Sequence, residues 1–229
     1  MDRNNISDEQ YYALLDSIFP ILAEKGPCAT TMDLVAHKLG MSKRTLYEIF
    51  DSKDNLLASL MDRLRDLYSD RIQKILRSAE NIMEGIANVF LFHQGMMRRI
   101  NARFFRDMDT RFPHLRRKYE SESKHAFEQM LMGCSLGVRQ GVFRDDVNYE
   151  IIIRLFRIQM ESLKRMEEFF PKDISLVEAY NAISLGMLRS IATPKGMEVI
   201  DGIAGRFQPT SEPYKEELTS LFKNPNDNK

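Results

Sequence analysis

The sequence predicts an all-α protein with a small N-terminal domain and a larger helical remainder. Three observations lead there. Apolar residues recur at i, i+3, i+4 and i+7 along most of the chain, the period of a helix with one buried face. Strand-like alternation is nearly absent. The 11 glycines and 8 prolines are scattered between the periodic runs instead of clustering into turn-rich stretches.

Each element can be justified in order. Ser7-Asp8-Glu9-Gln10 is a capping-box pattern and starts the first helix. Tyr11, Leu15, Ile18, Phe19 and Leu22 then lie on one face. Pro20 falls inside this run, and an internal proline removes a backbone hydrogen bond and crowds the preceding turn. A kink, or a helix restarting near Pro20, is therefore expected. Lys25-Gly26-Pro27 ends the element. Thr31 caps a short second helix to Leu39, and Gly40 supplies the turn. Ser42 caps a third helix to Phe50. A long fourth helix runs from about Ser52 towards Arg77.

On a helical wheel the third helix gathers Leu46, Ile49 and Phe50 on one side, with Arg44 and Glu48 nearly opposite. Lys43 and Arg44 occupy its first turn, and Lys53 the first turn of the fourth helix. A cation at a helix N-terminus opposes the dipole. Its placement makes sense if a phosphate meets it, because the exposed N–H groups and the dipole both attract an anion there. The polar face then offers one guanidinium, one phenol and two small donors, a suitable set for a major groove.

The run TTMDLVAHKLGMSKRTLYEIFDSKDNLL, following a first helix that ends in EKG, resembles the N-terminal DNA-binding domain of TetR-type transcriptional regulators. The residues that carry the resemblance are Thr31, Ala36, Gly40, Ser42, Lys43, Thr45, Leu46, Tyr47, Phe50 and Lys53. Pro20 departs from the pattern. The resemblance implies that Thr31, Tyr47 and Lys53 hold phosphates while Lys43, Arg44 and Thr45 approach the groove. It implies an operator of double-stranded DNA, palindromic if the protein is a dimer, and a ligand-binding and dimerisation role for the helical remainder. On this reading residues 1–55 form the helix-turn-helix domain, 56–222 the regulatory and dimerisation domain, and 223–229 a polar tail.

Charge qualifies this picture. The whole chain balances 33 basic against 33 acidic residues, so bulk charge says nothing about a nucleic-acid partner. Residues 1–55 hold six basic and nine acidic side chains, a net of −3. Non-specific affinity should then be modest and salt-dependent. One short recognition helix sees few base pairs, and a dimer placing two of them about 34–36 Å apart would compensate.

In the remainder, residues 79–110 read as one or two helices. Pro113 breaks the run, and another helix spans about His114 to Arg139. A helix from about Asn148 to Phe169 is apolar nearly all round at first, and a further one runs from about Ser175 to Ile191. A helix apolar all round must be covered on both sides. The helices near 148–169 and 175–191 are therefore expected to form a two-fold homodimer interface, against the simpler reading that both are central helices of one core. Phe90, His93, Met97, Phe104, Phe127, Met130 and Cys134 could line a cavity for an unknown small-molecule effector, or be ordinary core. Residues 98–118 carry eight basic side chains against two acids. Arg99, Arg103 and Arg106 share a face there and form a candidate anion site or extra DNA contact, or a solvated surface paired with acids elsewhere.

Other classes fit less well. Glycine-rich phosphate loops, C-x-x-C and H-E-x-x-H are missing. His37, His93, His114 and His125 have no metal-ligand spacing, and neither Ser135 nor Cys134 has a recognisable partner base. No catalytic residue, metal or cofactor is expected. A helical adaptor binding only protein would have no use for Lys43, Arg44, Tyr47 and Lys53 where they stand. Cys28 and Cys134 make no disulfide framework and fit a reduced, cytoplasmic setting. The N-terminal MDRNNISDEQ has no apolar signal core. The longest run without formal charge, Gly85 to Met97, is far short of the roughly 20 apolar residues that span a bilayer. The expectation is a DNA-binding regulator that acts as a repressor released by a ligand.

Overall fold

The computed structural model describes residues 6–99, 102–118, 122–171 and 173–207. Among these residues the regular elements are helices, with one isolated antiparallel bridge between Phe143 and Ala192. The helices are α1 (Asp8–Lys25), α2 (Met32–Lys38), α3 (Lys43–Phe50), α4 (Lys53–Ser78), α5 (Ile82–Arg99), α6 (Ala102–Arg111), α7 (Pro113–Lys118), α8 (Glu122–Arg139), α9 (Tyr149–Ser162), α10 (Met166–Phe169), α11 (Leu176–Ile191) and α12 (Pro194–Ala204). None is long and apolar enough to cross a membrane among the described residues. The polar tail at 223–229 lies outside them.

The starts follow local chemistry. Ser7 and Gln10 form a reciprocal capping box on α1, and Ser175 and Glu178 do the same on α11. Thr31, Ser42 and Asn148 each accept from a backbone N–H in the first turn of their helix. Pro20 does not interrupt α1, which runs unbroken from Asp8 to Lys25 with the proline exposed. Leu15, Ile18, Phe19 and Leu22 bury the opposite face on both sides of it, and that burial outweighs the lost hydrogen bond.

One expectation about element boundaries is narrowed and two change. The run at 79–110 is two helices, α5 and α6. Pro113 is the first residue of α7, where its missing N–H costs nothing, and α8 is a separate helix beginning at Glu122. The expected helix at 148–169 is α9, then a 3-10 turn at Leu163–Arg165, then the short α10. α12 had no counterpart in the sequence reading, although Thr193 as N-cap and Pro194 in the first turn announce it.

The chain folds as two compact units. The first takes in residues up to 70 together with 99–118, so α6 and α7 fold with the N-terminal helices instead of with the rest of the remainder. Its core holds Leu15, Ile18, Leu22, Leu46, Phe50, Leu56, Leu57 and Leu60. The second takes in 71–98 and the described residues from 122 onward. In it α9 packs against α8 and α11, and α11 against α12. Phe90 stacks on Phe156 at 5.2 Å, and the Tyr180 hydroxyl donates to the Phe90 carbonyl at 3.1 Å.

Candidate nucleic-acid interface

α2 and α3 pack through Met32, Val35 and Ala36 on one side and Leu46, Ile49 and Phe50 on the other. The turn between them closes on Gly40, whose φ of +65° suits a residue without a Cβ. The Met41 N–H donates to the Ala36 carbonyl at 3.0 Å, and the Gly40 N–H to His37 at 3.2 Å. Ser42 Oγ accepts from the Thr45 N–H at 3.0 Å and lies 2.7 Å from Thr45 Oγ1. Burying Leu46, Ile49 and Phe50 turns Lys43, Arg44 and Tyr47 out to solvent, with Thr45 half-buried. Arg44 is the most open of the charged side chains here, at 88 % exposure.

Both cations of the α3 start are paired within the protein. Lys43 Nζ lies 2.7 Å from Asp33 of α2 and 6.0 Å from the Tyr47 ring. The Asp33 carboxylate holds the Lys43 ammonium above the ordinary lysine range, first through its hydrogen bond and then through its charge. Arg44 Nε donates to Glu48 Oε1 at 2.8 Å, one turn along the same face. Thr31 Oγ1 caps α2 at 3.1 Å to the Leu34 N–H.

Lys53, at the first turn of α4, is held differently. Its ammonium donates to the Cys28 carbonyl at 3.5 Å and sits 5.9 Å from the Phe112 ring. Asp107 of α6 accepts from the Cys28 N–H at 2.8 Å, and His114 of α7 lies 3.0 Å from Asp54. Gly26 makes this docking possible: its φ is +84°, and a Cβ there would meet Asp107 and Arg103 at 2.9 and 3.3 Å. α6 and α7 thus brace the loop after α1 and the start of α4. Between α4 and α1, Arg63 grips Asp16 through two hydrogen bonds of 3.0 and 2.8 Å, with the Tyr12 ring 4.7 Å from the guanidinium. Sequence reasoning missed Asp33, Arg63 and Asp16 because their partners are distant in the chain.

The residues expected to line an effector cavity are not all brought together. Phe104 belongs to the first unit, where its ring meets Phe19 edge-on at 6.3 Å. Phe90, His93, Met97, Phe127, Met130 and Cys134 are in the second. Phe90 and His93 lie beside Tyr180, while Phe127 is half-buried under Arg154 at 4.9 Å. Burial holds His93 down at about 4, so its imidazole is neutral, and pushes the Cys134 thiol up to about 11. Arg103 and Arg106 are exposed on α6; the Arg99 side chain lies outside the described residues.

A short capped helix, a glycine turn, and a second capped helix with its polar face to solvent define a helix-turn-helix DNA-binding protein. The family model for bacterial regulatory proteins of the tetR family matches residues 14–60. That match covers the helix-turn-helix itself, so the N-terminal domain resembles that of tetR-type regulators. It is 28% identical over 159 residues to the transcriptional repressor KstR2 of Rhodococcus jostii, covering 63% of this chain and 72% of the relative. Its fold is that of a transcriptional regulator from Saccharomonospora viridis solved with choline (TM-score 0.66, 19% identity, 82% of this chain and 100% of the other). It is also that of the regulator FadR from Bacillus subtilis solved with stearoyl-CoA (TM-score 0.58, 16% identity, 79% and 99%).

Proposed function

We propose that this regulator is a homodimeric repressor that reads a palindromic operator through α3 and leaves it when a small, largely apolar molecule binds the second unit. The observation that carries the reading is the exposed row on α3. Lys43, Arg44 and Tyr47, with Thr45 half-buried beside them, stand on a helix whose opposite face is used in packing. Thr31, at the cap of α2, and Lys53, at the start of α4, would hold the flanking phosphates.

Dimerisation is supported by α9 and α11. Ile151, Leu155 and Ile158 form an i, i+4, i+7 stripe on α9 and are 53, 50 and 65% exposed. On α11, which packs against α9, the outward positions Ala182 and Gly186 are small, and a Cβ at Gly186 would enter open space. An exposed apolar stripe and small outward residues on the helix packed against it suit a two-fold contact between copies, and the two reading heads need one.

The effector class follows from what is buried. Among the described residues, the buried polar side chains are Thr30, Gln94, Asn181 and Ser184, all neutral, and His93 is held neutral as well. A charged group at that depth would lack a counter-charge, so the buried end of an effector is uncharged. Of the similar proteins, the one solved with stearoyl-CoA, whose acyl end is apolar, points the same way, and the one solved with choline points the opposite way.

The test is a gel-shift series on an operator selected from random duplexes. Arg44→Ala should weaken the operator by about 1–3 kcal/mol and random DNA far less. Lys53→Ala should weaken both alike. Equal losses on operator and random DNA for Arg44→Ala would refute the base-reading role. Release is titrated with stearoyl-CoA, a steroid ketone and choline, of which choline should be inert.

A further inference from the structure

The end of α6 brings a second cation to the start of α4. Lys53 Nζ donates to the Cys28 carbonyl at 3.5 Å and lies 5.9 Å from the Phe112 ring, a contact that leaves ammonium donors open. Phe112 directly follows Arg111, the last residue of α6. Arg111 is exposed, and among the described residues no carboxylate pairs with it. Asp107, one turn back, accepts from the Cys28 N–H at 2.8 Å instead, and Asp54 lies 3.0 Å from His114. Arg103 and Arg106, earlier on the same helix, have partners within the protein. Burial and then Asp107 raise the Cys28 thiol, while Lys53 and Arg111 both pull it down, so the two cations flank that residue. The dipole of α6 favours a cation in its last turn, which accounts for the place of Arg111 but satisfies none of its five N–H donors.

We propose that Arg111 holds the DNA backbone beside the phosphate gripped by Lys53, so that α6 carries part of the reading head's phosphate contact. This rests on the reading of Lys53 as a phosphate contact. A guanidinium matches two phosphate oxygens with parallel N–H donors, and the ammonium beside it adds a point charge. Both stand at the amide end of α4, a helix of 26 residues, where an anion is favoured as well. The anion is a DNA phosphate because of where the corner lies. Only Asp51 and Ser52 separate α3 from α4, and α6 folds in the same compact unit, so a duplex lying against α3 brings its backbone here. The contact strengthens binding without reading a base. It also places a cation next to residues 1–55, whose own balance is acidic.

The experiment measures binding to the selected operator and to a random duplex at several salt concentrations. The proteins are wild type, Arg111→Ala, Arg111→Lys, Lys53→Ala and a variant carrying both Arg103→Ala and Arg106→Ala, each first shown to be folded by circular dichroism. Arg111→Ala should weaken operator and random DNA alike, by about tenfold, and lower the salt slope by about one. Arg111→Lys should keep the wild-type slope and recover only part of the affinity, because an ammonium cannot make the paired contact. Lys53→Ala should also lower the slope by about one. The Arg103→Ala, Arg106→Ala variant should keep the wild-type slope. An Arg111→Ala slope equal to wild type, with the Lys53→Ala slope lowered, overturns the inference and leaves the phosphate reading of Lys53 standing. An equal fall in the Arg103→Ala, Arg106→Ala variant overturns it too, since the effect is then the field of the whole segment and not a contact. A slope untouched by Lys53→Ala overturns the phosphate reading of the α4 start and the inference with it.

Discussion

Acid should destabilise this protein through His93. Its Nε2 is screened from solvent although the residue as a whole is half-buried, and burial lowers its pKa from 6.5 to about 4. A base whose folded pKa is depressed binds its proton first in the unfolded chain. The stability it contributes is complete above 6.5 and is lost as pH falls from there towards 4. Between pH 7.5 and pH 5 the linkage amounts to about 2 kcal/mol, an upper value because part of the residue reaches solvent. For a chain of this size that corresponds to about 4–8 °C in Tm. The assay compares thermal melts of wild type and His93→Gln at the two pH values. Every other titratable group is common to the two proteins and drops out of the comparison. Wild type should lose about 4–8 °C more than His93→Gln. Equal losses in the two proteins, or an imidazole that titrates near 6.5 by proton NMR, would refute the argument.

Two further outcomes are expected. Arg63→Ala leaves Asp16 half-buried without its two hydrogen bonds and removes the contact with the Tyr12 ring, so chemical denaturation should show a loss of about 1–3 kcal/mol. Arg63→Lys should recover only part of it, because an ammonium cannot make the paired contact; full recovery would sink the geometric account. Leu155→Asp, at the middle of the α9 stripe, should shift sedimentation from dimer to monomer at micromolar concentration and abolish operator binding while the helical content persists. A variant that remains dimeric would move the interface elsewhere.

What was legible in the sequence was local. Ser7, Thr31, Ser42 and Ser175 each mark a helix start within three residues of the N–H they cap, so a short window holds the whole interaction. The wheel of α3 was legible for the same reason: its buried face is set by i, i+3 and i+4 spacing. Where the deciding partner is remote, the pattern misleads. Phe104 continues the apolar stripe of Phe90 and Met97 in spacing, yet it folds against Phe19, because period tells which side of a helix is buried and not what buries it. Pro20 carries a strong local instruction to stop, and it is overruled by the packing of residues on both sides. Asp33 and Glu48 illustrate the divide within one site: Glu48 is one turn from Arg44 and visible on a wheel, whereas Asp33 reaches Lys43 only once the turn has closed.

The same divide changes the electrostatic argument for DNA binding. Taken in chain order, the N-terminal residues are an acidic domain, with eight cations against twelve carboxylates up to residue 70. The unit that folds around the reading helix also contains 99–118, which adds seven cations and only two carboxylates. The folded reading head is therefore near neutral, with a slight positive excess. One of the two added carboxylates, Asp107, is committed to the Cys28 N–H. A phosphate approaching α3 and the start of α4 meets a unit whose acidity has been cancelled by helices drawn from later in the chain. Non-specific binding should accordingly be weak but not repelled, and most of the discrimination falls to the few side chains of α3.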